Sequence, residues 1–527
     1  MRKISFFIVL WGILLGGLFS VNGNNQSKTV SGYEFWDKNN NGIREKGEPA
    51  VRNLPISNGE QIVKTNRRGE YQIPIDSTRS VFPIISGNYA YALSPLQNNM
   101  FCSGVRLQEH NYCYNIPLIK INNPNQFVIG AVGDVQVDSE EEIGYAAKSV
   151  LKELANRRDL TFNLFLGDLV NEKLPFYAKM KKLLEYSESS SFLIAGNHDR
   201  YYTPEYEKQD SVFNAYFGAT TYAFNQGKVH FILLNNVYPT GKRSYEGRYT
   251  DRQLEFIEND LKLVPDDYLI VVGQHIPLVA TKNRKNLFQA LSGKKVLVLS
   301  AHTHSVLRSL WNKETGEQIT GKQMDGENMN SDSMIQEITV GTSCGHFWKG
   351  EKDLQGVPSA LMQCGSPRCY FTIHFDRNNY SFKYKSIGED GDRQADIVIK
   401  GYDECTDLPE LDQFDDQTIF ATIFGAASWS NVQIRIDHQE WHSMCYTSCV
   451  APAIAQWRNW IEKDIYPTLR GTKQRMGKRV SPHVWTFLPA IPLSKGIHLI
   501  EVRAQDQFGF SVLQKQFFNL AENPADK

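Results

Sequence analysis

Five short apolar runs, each followed by residues that can bind a metal ion, constrain the fold of this chain most strongly. The runs begin at Phe127, Phe162, Phe192, Tyr268 and Lys295. Short runs that are apolar throughout are typical of strands buried on both faces of a sheet. Helical stretches separate them, so the segment is predicted to be an α/β domain of layered sheets and helices.

One of the helical stretches carries a recognisable start signal. Thr250 and Gln253 have the spacing of a capping box, in which the two side chains satisfy backbone N–H groups at a helix start. The amphipathic residues 254–263 follow directly. The sequence therefore predicts a helix that begins at this point.

Polar side chains follow all five runs and are expected to meet. The carboxyl ends of parallel strands share one edge of an open α/β sheet, where ligands bind. The residues placed there are Asp134, Gln136, Asp168, Asn197, His198, Asp199, His275, His302 and His304. Carboxylate, imidazole and amide donors without cysteine suit Mn, Fe or Zn. A short aspartate can bridge two such ions at about 3.5–4 Å, the separation that a two-metal hydrolase needs.

Each motif taken alone also has an ordinary structural interpretation. A glycine–aspartate pair after a strand usually forms a turn, and Gly196-Asn197-His198-Asp199 could do the same. Their occurrence together, in this order and each at the end of a strand, favours a functional site.

The ordered motifs resemble those of the calcineurin-like metallophosphoesterases. The matching blocks are Gly133-Asp134-x-Gln136, Gly167-Asp168-x-x-Asn171, Gly196-Asn197-His198-Asp199, Gln274-His275 and Ala301-His302-x-His304. The resemblance covers residues 124–388 and implies a four-layer α/β sandwich of two sheets flanked by helices. It also implies additional all-β domains on both sides, as in a bacterial branch of the family, and hydrolysis of phosphate esters.

The resemblance further implies a role for each residue. The ligands implied for one divalent cation are Asp134, Gln136, Asp168 and His304. Those implied for the other are Asp168, Asn197, His275 and His302. A hydroxide shared by the two cations would attack phosphorus. His198 would contact the scissile phosphate and assist the leaving oxygen, and Asp199 would orient His198.

Three positions depart from the common family pattern. Gln136 stands where many members have histidine, Asn171 where aspartate is common, and Ala301 where glycine is frequent. A glutamine carbonyl is a weaker donor than imidazole, so the identity of the metals, Mn, Fe or Zn, stays open. The same departure, together with the two predicted flanking β-domains, motivates the alternative of an extracytoplasmic binding protein with a degenerate site.

The block after the last ligand mixes a cation with aromatic residues. His346, Trp348 and Arg368 are therefore candidates for substrate contacts, together with Tyr370, since arginine suits bidentate phosphate binding. Ordinary packing of a loop explains them equally well. A small-molecule, glycan-linked or lipid-linked phosphate ester is expected as substrate, and monoester and diester remain alternatives.

The segment before the α/β domain is β-rich and contains one calcium-like spacing. Short runs broken by Gly, Asn and Pro predict a small β-sandwich. The positions that would wrap a calcium ion are Asp37, Asn39, Asn41, Ile43 and Glu48. An asparagine-rich turn without an ion is the alternative.

The first residues have the pattern of a signal peptide. Arg2 and Lys3 precede an apolar run over residues 4–19, and Val21-x-Gly23 offers a small-residue cleavage site. A membrane anchor is the alternative because the run approaches spanning length. A polar stretch without a basic cluster follows, which favours export to the periplasm or the exterior, with no transmembrane segment in the mature chain.

The predicted domains are therefore a signal peptide (1–23), an N-terminal β-sandwich (24–120), the α/β domain (121–390) and a C-terminal β-sandwich (391–527). The formal net charge of −1 gives no general attraction to nucleic acid. A basic cluster at residues 473–479 is interpreted as an exposed loop, so no nucleic-acid partner is expected. The oligomeric state stays open.

Six of the eight cysteines form pairs that are close in sequence. The pairs are Cys102 with Cys113, Cys364 with Cys369, and Cys445 with Cys449. They could bridge in an oxidising compartment, although spacing alone does not give the connectivity.

Overall fold

The computed structural model describes residues 28–75, 79–91, 101–103, 107, 110–320, 333–402, 405–406, 408–466 and 470–520. The predicted signal peptide, residues 1–23, lies outside the described residues. Within the described ranges no helix combines the length and the apolar character needed to cross a membrane.

The described residues of the N-terminal part form eight short strands in two four-stranded sheets. Their bounds are β1 Lys28–Trp36, β2 Pro55–Ser57, β3 Ile62–Lys64, β4 Glu70–Ile75, β5 Ser80–Pro83, β6 Tyr89–Tyr91, β7 Cys102–Ser103 and β8 Ile116–Lys120. The strand orders are β4-β1-β8-β6 and β3-β2-β5-β7. Buried and exposed residues alternate along β4, as expected where one face of a sheet covers a core.

Fourteen strands lie in the described ranges of the central part, 121–320 and 333–390. Their bounds are β9 Gln126–Val132, β10 Phe162–Leu166, β11 Ser190–Ile194, β12 Tyr222–Gln226, β13 Val229–Leu234, β14 Val237–Pro239, β15 Tyr245–Gly247, β16 Leu269–Gln274, β17 Lys295–Ser300, β18 Val306–Asn312, β19 Gln318–Ile319, β20 Met334–Val340, β21 Cys369–Asp376 and β22 Asn379–Ser386. One sheet has the order β11-β10-β9-β21-β22, and another has the order β12-β13-β16-β17-β20-β18-β19. Strands β14 and β15 form a separate hairpin.

Helices cover the outer faces of these two sheets. Their bounds are α1 Glu140–Lys148, α2 Val150–Ala155, α3 Tyr177–Glu185, α4 Ser211–Phe217, α5 Asp251–Leu261 and α6 Arg284–Ala290. The predicted capping box at the start of α5 is confirmed, because Thr250 and Gln253 exchange side-chain and backbone hydrogen bonds. The α/β fold, with two sheets between helical layers and β-rich regions on both sides, is confirmed.

Phenylalanine rings fill the space between the two large sheets. Phe162 of β10 lies 5.3 Å from Phe231 of β13, ring centre to ring centre. Phe192 of β11 stacks on Phe224 of β12 at 3.9 Å. Burial of such large rings dominates the stability of a core, and here it fixes the spacing of the sheets whose ends carry the candidate ligands.

Where the structure describes the C-terminal part, it forms eight strands and one α-helix. Strand bounds are β23 Ala395–Ile399, β24 Ile419–Ile423, β25 Asn431–Ile436, β26 His442–Ser443, β27 Cys445–Tyr446, β28 Val484–Phe487, β29 Gly496–Gln505 and β30 Ser511–Leu520. The sheet orders are β23-β24-β28-β27 and β26-β25-β29-β30. Helix α7, Pro452–Glu462, differs from the prediction of an all-β domain. A proline stands at its first position, and its residues Ile454, Ala455 and Trp457 face the core.

The predicted domain boundaries fall in short connections. Residues 120 and 121 lie at the end of β8 and before β9, and residues 390 and 391 lie between β22 and β23. The division itself stays a prediction. All eight cysteines are described, and no disulfide bond joins any of the predicted pairs in this structure.

Candidate metal centre

The candidate ligands follow the carboxyl ends of strands from both large sheets. Asp134 follows β9, Asp168 follows β10, Asn197 follows β11, His275 follows β16, and His302 follows β17. The two edges touch directly, since the backbone N–H of His302 donates to Asp134 Oδ2 at 3.0 Å. The arrangement matches the expectation that strand ends converge on one crevice.

Four of these residues bring lone-pair atoms to one point. Ligand atoms of Asp168, His275 and His302 all lie within 4.8 Å of one another. His275 Nε2 is 3.3 Å from Asp168 Oδ2, 3.2 Å from His302 Nδ1 and 3.0 Å from Asn197 Oδ1. One Nε2 atom cannot form good hydrogen bonds with all three of these atoms at once, whereas a cation could be coordinated by all four. The donor set therefore fits a divalent metal ion.

A second, looser set lies beside the first. Asp134 Oδ1 is fully buried and has no hydrogen-bond partner among the described residues, and His304 Nε2 lies 3.8 Å from it. Gln136 Nε2 donates to Asn171 Oδ1 at 3.5 Å, and its carbonyl oxygen lies 3.9 Å from the thiol of Cys344. A buried carboxylate oxygen without a partner is costly, and a cation would satisfy it.

Backbone carbonyls fix which ring nitrogen of two histidines is available. His275 Nδ1 lies 2.8 Å from the carbonyl oxygen of Leu166, and His304 Nδ1 lies 2.7 Å from that of Gly345. A carbonyl only accepts, so Nδ1 donates in both rings. The lone pair of each neutral ring is then on Nε2, which faces the carboxylates. This is the usual way in which an outer contact orients a metal-binding histidine.

Burial and neighbouring charges move the pKa values of the ligands. Burial, opposed by His275 and reinforced by Asp168, raises the pKa of Asp134 to about 8. Burial works against a charged His275, but the charge of Asp168 raises its pKa to about 9. Burial and the charge of His275 lower the pKa of His302 to about 3. A divalent cation would favour the ionised aspartate and the neutral imidazole, the forms that bind metal.

Glycine permits the close approach of these elements. Gly167 has φ +90°, and a Cβ atom there would lie 2.6 Å from His275 Nδ1. A Cβ atom on Gly196 would lie 2.1 Å from Asp168 Oδ1. Any larger residue would displace a ligand.

Five candidate ligands have positive φ, which is uncommon for residues other than glycine. They are Asp134, Gln136, Asp168, His302 and His304.

The expected role of Asp199 is corrected by its contacts. The Asp199 carboxylate is buried and accepts hydrogen bonds from the backbone N–H groups of Leu169 and Gly196 and from the hydroxyl of Tyr177. It therefore supports the two ligand-bearing loops and does not orient His198. The imidazole ring of His198 lies within ion-pair distance of Glu172, with Oε1 3.6 Å from His198 Nδ1.

The expected substrate contacts are corrected in part. Trp348 is buried and donates to the carbonyl of Val135, and Arg368 stacks on Trp348 and lies against Ser343. Both side chains pack beneath the loop that follows β20, so neither of them reaches the opening of the metal centre.

Tyr370 and His346, the other two candidates for substrate contact, differ in their burial. Tyr370 is likewise buried, and its hydroxyl donates to Glu153. His346 is half-buried and stays a candidate for substrate contact.

The calcium-like loop has the hydrogen bonds of a tightly wound turn. Asp37 Oδ2 accepts from Gly42 N at 2.7 Å, and Asn39 Oδ1 accepts from Asn41 N at 3.2 Å. Asn41 Oδ1 in turn accepts from Ile43 N. The carboxylate of Glu48 accepts from the backbone of Lys38 and Glu45. These bonds also suit a turn without an ion, so calcium binding stays a prediction.

Sequence reasoning missed three residues beside the centre. Glu172 directly follows the block Gly167-Asp168-x-x-Asn171, and this position in the sequence could have indicated that it lies near the centre. Phe347 is exposed and lies 4.5 Å from His304, and Tyr245 lies 6.2 Å from His302, ring centre to ring centre. Nothing in the spacing of an aromatic residue shows which face of a loop it takes.

Comparisons with known proteins give two family matches. Residues 127–306 match the calcineurin-like phosphoesterase family, and residues 337–511 match the C-terminal domain of calcineurin-like phosphoesterase. Comparison with curated proteins gives no significant match.

Two solved structures are similar at low identity. One, described as the structure of PhoD, shares 9% identity over 83% of this chain and 98% of its own, with a TM-score of 0.35. The other, purple acid phosphatase PPD1 from yellow lupin (Lupinus luteus) seeds, shares 12% identity over 68% of this chain and 64% of its own, with a TM-score of 0.36. Scores this low add no argument to the family matches.

Proposed function

We propose that this chain uses a two-cation mechanism outside the cytoplasm. The chain belongs to the calcineurin-like metallophosphoesterases and is a hydrolase of phosphoric esters. The proposal covers the number and kind of the metal ions, the export of the chain and the class of ester that it hydrolyses. The cations proposed are Mn, Fe or Zn, and the ester is small, glycan-linked or lipid-linked.

The convergence of Asp168, His275 and His302 is the observation that carries the proposal. Their ligand atoms lie within 4.8 Å of one another, although the residues are far apart in sequence. The buried Asp134 oxygen without a partner adds a second position beside the first. Asp168 has one carboxylate with two oxygens between these sets, which suits a bridging role.

Bound divalent cations would lower the pKa of a shared water and offset charge on the phosphoryl oxygens. The residues of the chain supply the geometry. His198 N donates to Asp168 Oδ1 at 2.8 Å, so the same carboxylate also fixes the backbone that carries His198.

His198 is placed to act on the leaving oxygen. Its imidazole is partly exposed, whereas the candidate ligands His275 and Asp168 are buried. A protonated Nε2 could donate to the departing oxygen, which is general acid catalysis. Glu172 Oε1, 3.6 Å from Nδ1, would hold the ring and stabilise its charge. The hydroxyl of Tyr202 donates to the same Glu172 oxygen at 2.8 Å and so fixes the carboxylate.

The alternative of a binding protein with a degenerate site is not favoured. The family matches assign a hydrolase, and Gln136 is the one departure among the candidate ligands that motivated the alternative. Export rests on the pattern of residues 1–23 alone, and cell fractionation would test it.

A metal and activity analysis of the purified mature chain tests the proposal. We expect two divalent cations per chain by elemental analysis, and turnover of aryl phosphate monoesters or diesters that a chelator abolishes and Mn or Zn restores. Asp168→Ala should lose both metal and turnover, whereas Asp266→Ala, at a carboxylate that is 99% exposed, should lose neither. Turnover that is insensitive to chelation, or full activity of Asp168→Ala, would overturn the two-cation mechanism.

A further inference from the structure

The ring of Phe347 lies exposed beside one of the candidate metal ligands. Its centre is 4.5 Å from that of the His304 ring and 5.1 Å from that of the His346 ring. The side chain is 40% exposed, although phenylalanine is among the residue types most often buried. Burial in a core therefore does not account for the position of this ring.

The backbone that carries Phe347 is strained. Phe347 has φ +60° and the next residue, Trp348, has φ +51°. Bulky side chains rarely adopt this left-handed region, and two adjacent residues persist there only where the surrounding structure holds them. Strain of this kind is concentrated at active sites and ligand-binding sites. The conformation of the loop thus indicates that the exposed ring has a role in binding.

Buried contacts hold the strained loop in place. Trp348 is buried, and its ring N–H donates to the carbonyl of Val135 at 2.8 Å. The carbonyl of Gly345, in the same loop, accepts from His304 Nδ1 at 2.7 Å. The loop that positions Phe347 therefore also orients His304, and this fixes the phenyl ring relative to the metal centre.

A second aromatic ring lies beside the neighbouring histidine. Tyr245 is 6.2 Å from His302, ring centre to ring centre. The guanidinium group of the buried Arg200 lies 5.0 Å from the centre of the Tyr245 ring and holds that ring by a cation–π contact. Both His302 and His304 thus have an aromatic side chain next to them, so planar surfaces border the metal centre.

We propose that Phe347 stacks on a planar aromatic group of the substrate, so that the preferred phosphate esters carry such a group close to the phosphorus. This inference rests on the proposed hydrolysis at the metal centre. Among the described residues, the rings packed against Phe347 are the imidazoles of His304 and His346. A planar group can pair with such rings at favourable distances. A flexible alkyl chain loses more rotational freedom on binding than a rigid ring does, and two imidazoles do not form the apolar groove that it needs.

Inhibition by three phosphonates tests the inference. Benzylphosphonate, cyclohexylmethylphosphonate and methylphosphonate share a head group that the enzyme cannot hydrolyse, and they carry a planar ring, a puckered ring and no ring. The inhibition constant Ki of each is measured against an aryl phosphate that the metal-loaded chain turns over. We expect Ki to be about 3- to 10-fold lower for benzylphosphonate than for cyclohexylmethylphosphonate, because paired aromatic rings attract each other beyond the effect of their buried area. Methylphosphonate should bind most weakly.

Variants at Phe347 locate the effect. Phe347→Leu keeps an apolar side chain beside His304 but removes the ring, and it should bring the Ki values of the two ring-bearing phosphonates to within about 2-fold of each other. Phe347→Tyr keeps the ring and should retain the preference. The control is Phe517→Leu, at a phenylalanine that is 72% exposed on β30, and it should also retain the preference. Melting temperatures and elemental analysis verify that each variant is folded and keeps its metal.

The outcomes separate this inference from the proposed function. If the metal-loaded wild-type chain hydrolyses no phosphate ester, the proposed function fails and this inference fails with it. If the chain hydrolyses an aryl phosphate but is inhibited equally by the two ring-bearing phosphonates, the proposed function stands and the stacking is refuted. A preference that survives in Phe347→Leu, or that disappears equally in Phe517→Leu, refutes the stacking as well.

Discussion

The buried ion pair between Arg308 and Asp506 gives the sharpest test of how the C-terminal domain supports the catalytic part. Arg308 lies on β18, four residues after His304, and Asp506 follows β29. Their side chains are 0% and 3% exposed, and two N–H groups of the guanidinium donate to the two carboxylate oxygens at 2.8 and 3.2 Å. The perturbation is Arg308→Met, which keeps the length of the side chain and removes the charge.

The expected cost follows from the burial of both groups. Without Arg308, Asp506 would keep only the hydroxyl of Ser430 and the backbone N–H of Phe508 as donors. An uncompensated buried charge costs about 3–5 kcal/mol of the free energy of unfolding. Replacing both partners by apolar residues removes this penalty, so Arg308→Met with Asp506→Leu should recover about 2 kcal/mol or more.

Urea denaturation followed by tryptophan fluorescence measures the effect. Arg503→Met is the control: Arg503 is exposed, bonds to Gln433 on the neighbouring strand and lies over the ring of Trp441, so its loss should cost less than about 1 kcal/mol. A cost below about 1 kcal/mol for Arg308→Met, or a double variant no more stable than Arg308→Met, would refute the reasoning.

Three further predictions concern the site. Glu172→Gln should lower kcat about 3- to 10-fold for alkyl phosphates but little for p-nitrophenyl phosphate, because a good leaving group needs less help from His198. An equal loss of kcat on both substrates would contradict the role of Glu172 in positioning His198. His198→Gln should lower kcat about 10²- to 10⁴-fold while elemental analysis finds the metal content unchanged. Gly167→Ala should lose metal because its Cβ atom would lie 2.6 Å from His275 Nδ1. The control Gly293→Ala, at a residue with a similar φ but with nothing within 4 Å of its Cβ atom, should keep the metal. Equal metal contents in the two variants would show that crowding of His275 does not affect metal binding.

Residues at the ends of buried strands could be predicted from the sequence. The run from Phe162 to Leu166 is β10, and the run from Lys295 to Ser300 is β17. Buried parallel strands have a pattern that depends only on local composition, and parallel topology then places their carboxyl ends together. For this reason the residues that follow the strands could be grouped before any coordinates were known.

Side-chain partners within loops could not be predicted in the same way. Asp199 follows His198 in sequence, but its carboxylate turns back to the amides of Leu169 and Gly196. Trp348 and Arg368 were equally compatible with an inward or an outward direction, and the direction depends on burial against distant residues such as Val135. Motif spacing carries no information on these long-range contacts.

The contacts of residues 473–479 could not be predicted in full either. The sequence shows a cluster of cations flanked by polar residues, which is typical of a solvated loop, and Lys473, Arg475, Lys478 and Arg479 are exposed. Gln474 is buried between them and donates to the carbonyl of Leu361 at 2.8 Å. A contact between segments far apart in sequence has no signature in a local pattern.

The backbone hydrogen bonds under the ligand loops have a consequence for how the enzyme acquires its cofactors. Gln136 N donates to the carbonyl of Asp168 at 2.8 Å, and His302 N and His198 N donate to the carboxylates of Asp134 and Asp168. None of these bonds needs an ion, so the loops should hold their shape in the apoprotein. Ions should then exchange without refolding, and the ions found in the purified enzyme would report their supply in its surroundings rather than a selection made during folding.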